Sequence, residues 1–550
     1  MIEMLRTGDW LTRERVRIIA IILLAFYTIA TVFLFATSNG RVDRFDRPLG
    51  TDYSQVWTAG RFVLEGHPEK PFDNVAHDKR QREYFSQTSG FFHWGYPPYF
   101  LVVAAFFALF PYALSLILWQ AATLPIYLAA VRSIAPFRDG LLAAAAFPAV
   151  FVNIGHGHNG FLTAGLMAFG LLTIERRPLL AGVLFGLLAY KPQFGILIPI
   201  ALAAGGYWRT ALAAAATIAA MTVGTWLAFG GETWRGFFTM MTFSREVISE
   251  QGVTGWHKIQ TVFAAISMLG GSIPLAYAFQ FVSTAICAVL VAVLWYGRTD
   301  RRLAAAALMT GALLSTPYAL DYDMMLLGPA LAFVVAYGLE KGFRPWEKSL
   351  LALVWFVPII ARNIAEVTFI PVGVLTMFAF MSLIVRRALS DEQFDWRGRL
   401  AARSPLMQQI GVFSLVGAAG FFVDTGLTLF FADAFGISGY VARVPAIVIA
   451  VVATWFLNRT WTFRSKDPRV IGEFARYGLA SAVTSVFNYA IFCGVLAAFA
   501  YQGIAKDTDR LSIGIGMIAG SGAAAVLNFV LSKFFAFARP VPPELARHRS

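Results

Sequence analysis

Apolar runs of about 17–25 residues recur along the whole chain, with short polar turns between them. Runs of this length are typical of membrane-crossing helices, because a helix satisfies its own backbone polar groups inside the bilayer. The first run, 17–38, is longer than a signal-peptide core and no small-residue cleavage site follows it, so we expect it to be retained. The pattern predicts an all-α polytopic membrane protein.

Three apolar stretches do not fit one straight span each. Residues 97–132 make one net crossing, residues 178–205 turn back around Lys191, and residues 259–271 are too short to span. With these breaks, every basic turn faces the cytoplasm, and so do both termini. Interrupted apolar segments indicate a site, because non-helical backbone at membrane depth is tolerated where it lines a cavity. The polar segment 39–95 then lies outside, where we expect short helices on the membrane surface.

Composition supports the membrane assignment and excludes several functions. Hydrophobic residues make up 58% of the chain and charged residues 14%, against about a quarter charged in soluble proteins. The net charge of +13 fits basic cytoplasmic loops and not nucleic-acid binding. The two cysteines, Cys287 and Cys493, lie in apolar runs, so neither a disulfide framework nor a cysteine metal cluster is expected. No phosphate loop, zinc-protease helix or serine-nucleophile motif occurs, and we expect no metal and no cofactor.

A charged segment at 391–407 predicts a cytoplasmic linker between two domains, 1–390 and 408–540. The second domain contains four apolar runs, at about 408–431, 438–459, 474–500 and 511–537. These runs form an internal repeat in which Asp424 aligns with Asn488, and residues 458–463 align with 532–537. Each half ends in a basic residue beside aromatic residues, with Asn458, Arg459 and Trp461 in one half and Lys533 in the other. Such a pattern fits an interfacial belt or a clamp for a lipid phosphate, and both interpretations stay open.

Unusual polar side chains fall on the predicted outer side, beginning with Asp52 just after the first span. Each has a structural explanation: Asp52 fits a helix cap, Lys191 a lysine extended toward the membrane surface, and Asp323 a helix N-terminus. Two histidines at i, i+2, His156 and His158, suggest a metal only weakly, and hydrogen bonding to a sugar or headgroup is favoured. The other members of this set are Tyr53, Trp57, His93, Tyr96, Asn159, Gln193, His257, Lys258 and Tyr322.

Taken as a set, these residues suit the transfer of a sugar from a lipid phosphate to a hydroxyl. Asp52 can remove the proton of the acceptor hydroxyl. Lys191, His257 and Lys258 can stabilise the departing phosphate. Aromatic and hydrogen-bonding side chains can hold the sugar ring and the acceptor in place.

Residues 15–390 resemble a membrane-embedded GT-C glycosyltransferase of family 87, the polyprenyl-phosphate-mannose-dependent type. The resemblance is carried by Asp52-Tyr53 with Trp57 and Gly60, by Tyr96-Pro97-Pro98, by Lys191-Pro192-Gln193, and by Thr316-Pro317 leading to Tyr322-Asp323. It implies that Asp52 is the catalytic base, that the first outer loop shapes the acceptor site, and that the anomeric carbon inverts without a metal. The chain departs from the family pattern at His158-Asn159 and at Tyr322-Asp323.

Residues 408–540 resemble a GtrA-type four-span domain, on Phe413, Gly417, Asp424, the segment 458–463 and the repeated half ending at Phe537. The resemblance implies handling or flipping of polyprenyl-phosphate sugars in a bacterial inner membrane, and it allows pairing between copies of the chain. Together the two resemblances imply a hexosyl (mannosyl-like) or pentosyl transfer on the outer face. The donor is a polyprenyl-phosphate sugar, the acceptor a glycolipid or polysaccharide, and the surroundings are membrane lipids.

Two alternatives remain at this stage. One is a lipid-linked-sugar flippase without transferase activity, which broken helices and repeats also suit. The large outer segment 39–95 argues against it, since a simple transporter does not need one. The other is a scaffold whose second domain only tethers a partner enzyme.

Overall fold

The computed structural model describes residues 2–86, 90–297, 299–390, 405–465, 467–501 and 510–537. Within these ranges the chain forms helices and two isolated β-bridges but no strand. Nine helices in the same ranges are long and apolar enough to cross a membrane, and a bent pair brings the number to ten. The predicted fold class, an all-α polytopic membrane protein, is confirmed. Most of the predicted linker 391–407 and the end of the second domain at 538–540 lie outside the described residues.

The chain divides into two compact units, Met1–Trp396 and Arg397–Ser550. The first unit contains long helices at Arg13–Ala36, Tyr112–Ile134, Trp208–Phe243 (interrupted at Gly230), Ile273–Tyr296, Leu327–Lys341, Glu347–Thr368 and Val372–Ser390. Its shorter helices are Ile2–Thr7, Tyr53–Leu64, Asn74–Tyr84, Tyr99–Ala108, Arg138–Ala145, Pro148–His156, Gly160–Thr173, Pro178–Leu187, Ile198–Gly205, Val262–Met268 and Arg301–Leu314.

The helices break where the sequence predicts interruptions. Residues 97–132 fall into two helices separated at Leu109–Pro111, and residues 178–205 fall into short pieces on either side of Lys191. Only seven residues, Val262–Met268, are helical in the third stretch. A further break separates Arg138–Ala145 from Pro148–His156, which meet at 43°. These breaks bring polar turns of the first unit together.

The outer segment differs from its prediction. The helix Tyr53–Leu64 was expected on a membrane surface, yet every residue from Tyr53 to Gly60 is buried by protein. Gly60 explains the close packing, because a Cβ added there would lie 2.1 Å from the carbonyl oxygen of Ala104. The helices Tyr53–Leu64 and Tyr99–Ala108 therefore cross with their backbones almost in contact. Asp52 thus lies at the start of a helix that the protein encloses.

In the described part of the second unit, residues 405–465, 467–501 and 510–537, the chain forms four α-helices, Pro405–Phe435, Gly439–Leu457, Val470–Tyr501 and Arg510–Leu531. The first two pack together and so do the last two, as two repeated hairpins would. Each hairpin ends in a five-residue π-helical turn, Asn458–Thr462 in one and Ser532–Ala536 in the other. The repeat seen in the sequence thus has the same local structure in both halves.

Candidate active site

Asp52 precedes the helix Tyr53–Leu64, but its carboxylate does not cap that helix. Its Oδ2 lies 3.5 Å from Nδ1 of His156, and the same nitrogen is 2.7 Å from Oγ1 of Thr51. Burial raises the pKa of the Asp52 carboxyl, while the nearby His156 opposes that rise. The side chain keeps 17% of its surface exposed, so a hydroxyl can still reach it. This is the environment of a carboxylate that accepts a proton more readily than an exposed aspartate.

Two glycines make the contact between Asp52 and His156. Gly50 and Gly157 both have positive φ, of 61° each, which a residue with a side chain rarely adopts. A Cβ on Gly157 would lie 2.6 Å from Cβ of Tyr53, and a Cβ on Gly50 would lie 2.9 Å from Leu116. Gly157 also ends the helix Pro148–His156 as its left-handed cap. The histidine at the end of one helix therefore meets the aspartate at the start of another.

His158 and Tyr322 form the wall beside this pair. Their rings stack with centroids 3.5 Å apart, and Nε2 of His158 is 3.2 Å from the hydroxyl of Tyr96. The backbone carbonyl of Tyr322 accepts a 2.9 Å hydrogen bond from the amide of Asn153. The Asn159 amide is buried near the Tyr96 hydroxyl without a well-formed hydrogen bond. The wall is aromatic and polar together, as a sugar-binding surface is.

Lys191 and Asp323 form a buried ion pair. The Nζ of Lys191 lies 2.5 Å from Oδ1 of Asp323, and the two side chains are 4% and 3% exposed. Asp323 also accepts a 3.0 Å hydrogen bond from the backbone N–H of Leu320. Lys191 lies 5.6 Å from the centre of the Tyr322 ring. In this structure Asp323 balances the charge of Lys191, and the pair fixes the Tyr322 turn, so the role of Lys191 at the donor phosphate stays a prediction.

Two cationic groups, Arg362 and Lys258, and the imidazole of His257 lie on the more open side of the cluster. The turn Trp256–Lys258 is anchored to the Asp321 turn by a β-bridge between Ile259 and Leu320. A guanidinium nitrogen of Arg362 is 3.7 Å from Oδ2 of Asp321, and Nε2 of His257 is 4.0 Å from Glu366.

Burial lowers the pKa of Lys258, and the nearby charge of Arg362 lowers it further. The pKa of His257 is also lowered, first by burial. Arg362 keeps 35% of its side chain exposed. Arg362 and Lys258 are therefore the cations placed to meet an anion, and His257 lies beside them as a neutral hydrogen-bonding imidazole.

The other predicted residues make contacts that hold the protein together around the site. The hydroxyl of Tyr53 is 2.5 Å from Oγ of Ser115, and Trp57 donates a 3.0 Å hydrogen bond to the carbonyl of Phe110. His93 lies near the buried His77, and burial lowers their pKa values to about 4 and about 3. Gln193 is half-buried in the turn after Lys191. These four support the site from its edges, while the centre is formed by Asp52 and its neighbours.

Thr51, Asp321 and Arg362 are site residues that the sequence pattern did not single out, and His156 was expected near a sugar or headgroup but not against Asp52. An arginine inside a span-length helix, Glu347–Thr368, was a usable signal for Arg362, because a charge at such a position commonly marks function. Among the described residues no group of three or more His, Cys, Asp or Glu side chains is arranged to hold a metal ion.

The basic residues of the second unit are engaged with their own unit. Arg459 forms an ion pair with Glu473, which is itself 1% exposed, and donates a 2.9 Å hydrogen bond to the carbonyl of Asp467. Asn458 donates to the hydroxyl of Tyr477 at 3.2 Å. Trp461 is 63% exposed, and the Nζ of Lys533 lies 5.9 Å from the Phe529 ring. The belt and clamp interpretations of these residues both remain compatible with this arrangement.

Comparison with known families gives two matches. Residues 94–320 match glycosyltransferase family 87, and residues 412–537 match the GtrA/DPMS transmembrane domain. No curated protein and no solved structure matches the chain. The two matches lie within the segments 15–390 and 408–540, so both family resemblances are confirmed, although the motifs at Asp52 and at Tyr322-Asp323 lie outside the first match.

Proposed function

Because the chain is a multi-pass membrane glycosyltransferase joined to a GtrA/DPMS domain, we propose that it uses a polyprenyl-phosphate sugar as donor. A hexosyl (mannosyl-like) or pentosyl unit passes to a hydroxyl of a glycolipid or polysaccharide. The reaction occurs on the outer face of a bacterial inner membrane. The second domain recruits or flips the lipid-linked donor. The support comes from the chemistry gathered around Asp52.

Asp52 acts as the base in this proposal. Its carboxylate takes the proton of the acceptor hydroxyl, whose oxygen then attacks the anomeric carbon as the bond from that carbon to the phosphate oxygen breaks. The raised pKa of Asp52 favours proton uptake, and His156 with Thr51 holds the carboxylate in place. Attack from the face opposite the phosphate inverts the anomeric centre without a metal.

The leaving phosphate is met by the cations Arg362 and Lys258 and by a hydrogen bond from the His257 imidazole. Charge builds on the phosphate as the bond breaks, and fixed cations at that point stabilise the transition state. A guanidinium holds phosphate oxygens through two parallel N–H groups, and Arg362 is bound to Asp321 only loosely, at 3.7 Å. Donor phosphate can therefore replace Asp321 as the partner of Arg362. His158 and Tyr322 contact the sugar ring between base and phosphate.

The observation that carries the proposal is the Asp52 carboxylate, partly open, beside His156 and within electrostatic reach of Asp321, which pairs with Arg362. Asp52→Asn keeps the shape of the side chain and removes the base. With purified full-length protein, radiolabelled polyprenyl-phosphate hexoses and pentoses, and membrane glycolipid as acceptor, we expect transfer to fall by about 10²–10⁴-fold. Glu69→Gln, at an exposed carboxylate of the same outer segment, is the matched control. Near-normal turnover by the Asp52→Asn variant would disprove the assignment of Asp52 as the catalytic base.

A flippase without transferase activity is the competing candidate, and the internal repeat of the second unit favours it. It predicts that labelled donor crosses liposome membranes while no glycosylated product forms with any donor of the panel. Product formation by wild-type protein, lost in Asp52→Asn, decides for the transferase.

A further inference from the structure

Arg443 is a fully buried arginine near the start of the helix Gly439–Leu457, with 0% of its surface exposed. Neither the Asp52 cluster nor the basic turns at the repeat ends include it. A charge within a span-length helix is costly and usually serves binding or transport. The guanidinium lies 4.2 Å from the centre of the Phe492 ring, so one face of it is covered by an aromatic side chain.

The hydrogen bonds of Arg443 use only one of its three nitrogens. Nη2 lies 3.3 Å from Oδ2 of Asp424 and 3.0 Å from Oδ1 of Asn488. Nε and Nη1 are buried, and neither makes a hydrogen bond to any described residue. A purely structural arginine–carboxylate pair favours the parallel two-bond geometry, which this pair does not use. Donors of a buried guanidinium thus remain free for a ligand.

The two partners of Arg443 occupy equivalent positions of the internal repeat, since Asp424 aligns with Asn488. Asn488 is fixed from behind: its Nδ2 donates to Oγ of Ser521 at 3.4 Å, and a Cβ on Gly520 would lie 2.3 Å from its Oδ1. One guanidinium is therefore held where the two halves of the repeat meet. Binding sites of repeat-built membrane carriers lie at such interfaces.

Arg443 and Arg459 lie on one continuous span, Gly439–Thr462. The 16 residues from position 443 to 459 correspond to about 24 Å along a helix. Arg459 is at the basic end of the repeat and Arg443 is toward the other end of the span. The unit thus offers two guanidinium groups at two depths. Beside Arg443, Phe492, Leu496, Ile513 and Met517 form an apolar cluster able to contact an isoprenoid chain.

We propose that Arg443 binds the phosphate of a polyprenyl phosphate inside the second unit, with Asp424 as the internal anion that the phosphate displaces. This rests on the proposed function, because it gives the lipid-handling role of that unit a site. When phosphate enters and Asp424 leaves, one phosphate oxygen accepts from Nε and a second from the vacated Nη2, whose N–H groups are parallel, while Nη1 stays available to a further acceptor. When it leaves, Asp424 again balances the guanidinium. The apolar cluster around Phe492 takes the first isoprene units.

The test uses the full-length protein and farnesyl phosphate that carries a diazirine on its first isoprene unit. After photolysis, peptide mass spectrometry locates the adducts. We expect adducts on the helices Gly439–Leu457 or Val470–Tyr501, displaced by unlabelled farnesyl phosphate but not by farnesol or inorganic phosphate. Displacement by inorganic phosphate at the same concentration would show a site for free anions and overturn the lipid assignment.

Substitutions separate a ligand site from a structural ion pair. Arg443→Met should weaken the binding of farnesyl phosphate by about tenfold or more. Arg443→Lys should weaken it by less, because lysine keeps the positive charge but cannot form two parallel hydrogen bonds. Asp424→Asn should strengthen binding severalfold, since the competing carboxylate is gone. A structural pair predicts the contrary: both Asp424→Asn and Arg443→Lys lower thermal stability, and labelling stays at the wild-type level.

The first unit provides a matched control in the buried pair Arg387–Glu347, whose atoms are 2.7 Å apart. Glu347→Gln repeats the chemistry of Asp424→Asn at a pair with no proposed ligand, and it should leave labelling of the second unit unchanged. The readout requires no turnover. Failure of sugar transfer therefore leaves this site intact, and failure of labelling leaves the reaction at Asp52 intact.

Discussion

The Nζ of Lys191 lies 2.5 Å from Oδ1 of Asp323, and both side chains are almost fully buried. This pair joins the break after the helix Pro178–Leu187 to the turn that carries Tyr322. Removing one partner leaves an uncompensated charge, which costs far more than removing both.

We expect Lys191→Met to lower the free energy of unfolding by about 3–5 kcal/mol, and Lys191→Met with Asp323→Leu to recover most of that loss. Thermal unfolding of the purified protein, followed by loss of the monodisperse peak, measures both. If the loss in the double variant equals the sum of the losses in Lys191→Met and Asp323→Leu, the two residues contribute independently and the pair is not a unit.

Acid should inhibit transfer at a higher pH than an ordinary aspartate would allow. Burial raises the pKa of Asp52 from its usual 3.8, so the proton stays bound up to a higher pH in the folded protein. Since only the ionised carboxylate is a base, kcat/KM should fall as the pH drops through that raised pKa, with a slope of one proton. Initial rates across the pH range measure this limb. If the midpoint of the acid limb lies no higher than pH 3.8, Asp52 is not the buried carboxylate that acts as the base.

Gly157→Ala should separate Asp52 from His156 and abolish most of the transfer. The added methyl group would lie 2.6 Å from Cβ of Tyr53, at a backbone position with φ of 61°. We expect a loss of about 1–3 kcal/mol in stability together with a much larger effect on kcat than on KM. Gly155→Ala is the control, because nothing lies within 4 Å of its added Cβ. A normal kcat in Gly157→Ala would mean that the close packing at Gly157 is not needed to position Asp52 as the base.

Arg362→Gln should lower kcat/KM by about 10²–10³-fold if the guanidinium meets the leaving phosphate. Arg362→Lys should recover only part of this, because an ammonium cannot form two parallel hydrogen bonds. Steady-state rates with varied donor give both values. Arg235→Gln, at an exposed arginine paired with Glu232 on its own helix, serves as control. Wild-type kcat/KM in Arg362→Gln would remove Arg362 from the phosphate site.

Much of the architecture follows from apolar run length. A bilayer imposes one length on every span, so spans and their breaks, including the one at Lys191, can be recognised without knowing how helices pack. The grouping of Asp52, Lys191 and Asp323 could also be predicted from the sequence. The distribution of basic residues orients the spans, and polar turns on the same side of the membrane then lie near one another.

Side-chain partnership could not be predicted in the same way. Which of His156 and His158 meets Asp52, and whether Lys191 faces a ligand or Asp323, depends on helix rotations that the sequence does not encode locally. The helix Tyr53–Leu64 has an apolar stripe beside charged residues, which fits a membrane surface as well as a protein interior. The burial of residues 53–60 and the close approach of Gly60 to Ala104 distinguish the two.

The imidazoles of His77 and His93 give the outer segment an acid limit of its own. Their pKa values of about 3 and about 4 lie below the ordinary 6.5. Both imidazoles therefore stay neutral in the folded segment at pH values where the same histidines of the unfolded chain bind protons. Their contribution to stability is complete above about 6.5 and is lost as the pH falls toward these values. Inactivation by acid therefore has two separable origins, and rates restored by returning to neutral pH report the chemistry, whereas rates that stay low report the collapse of this segment.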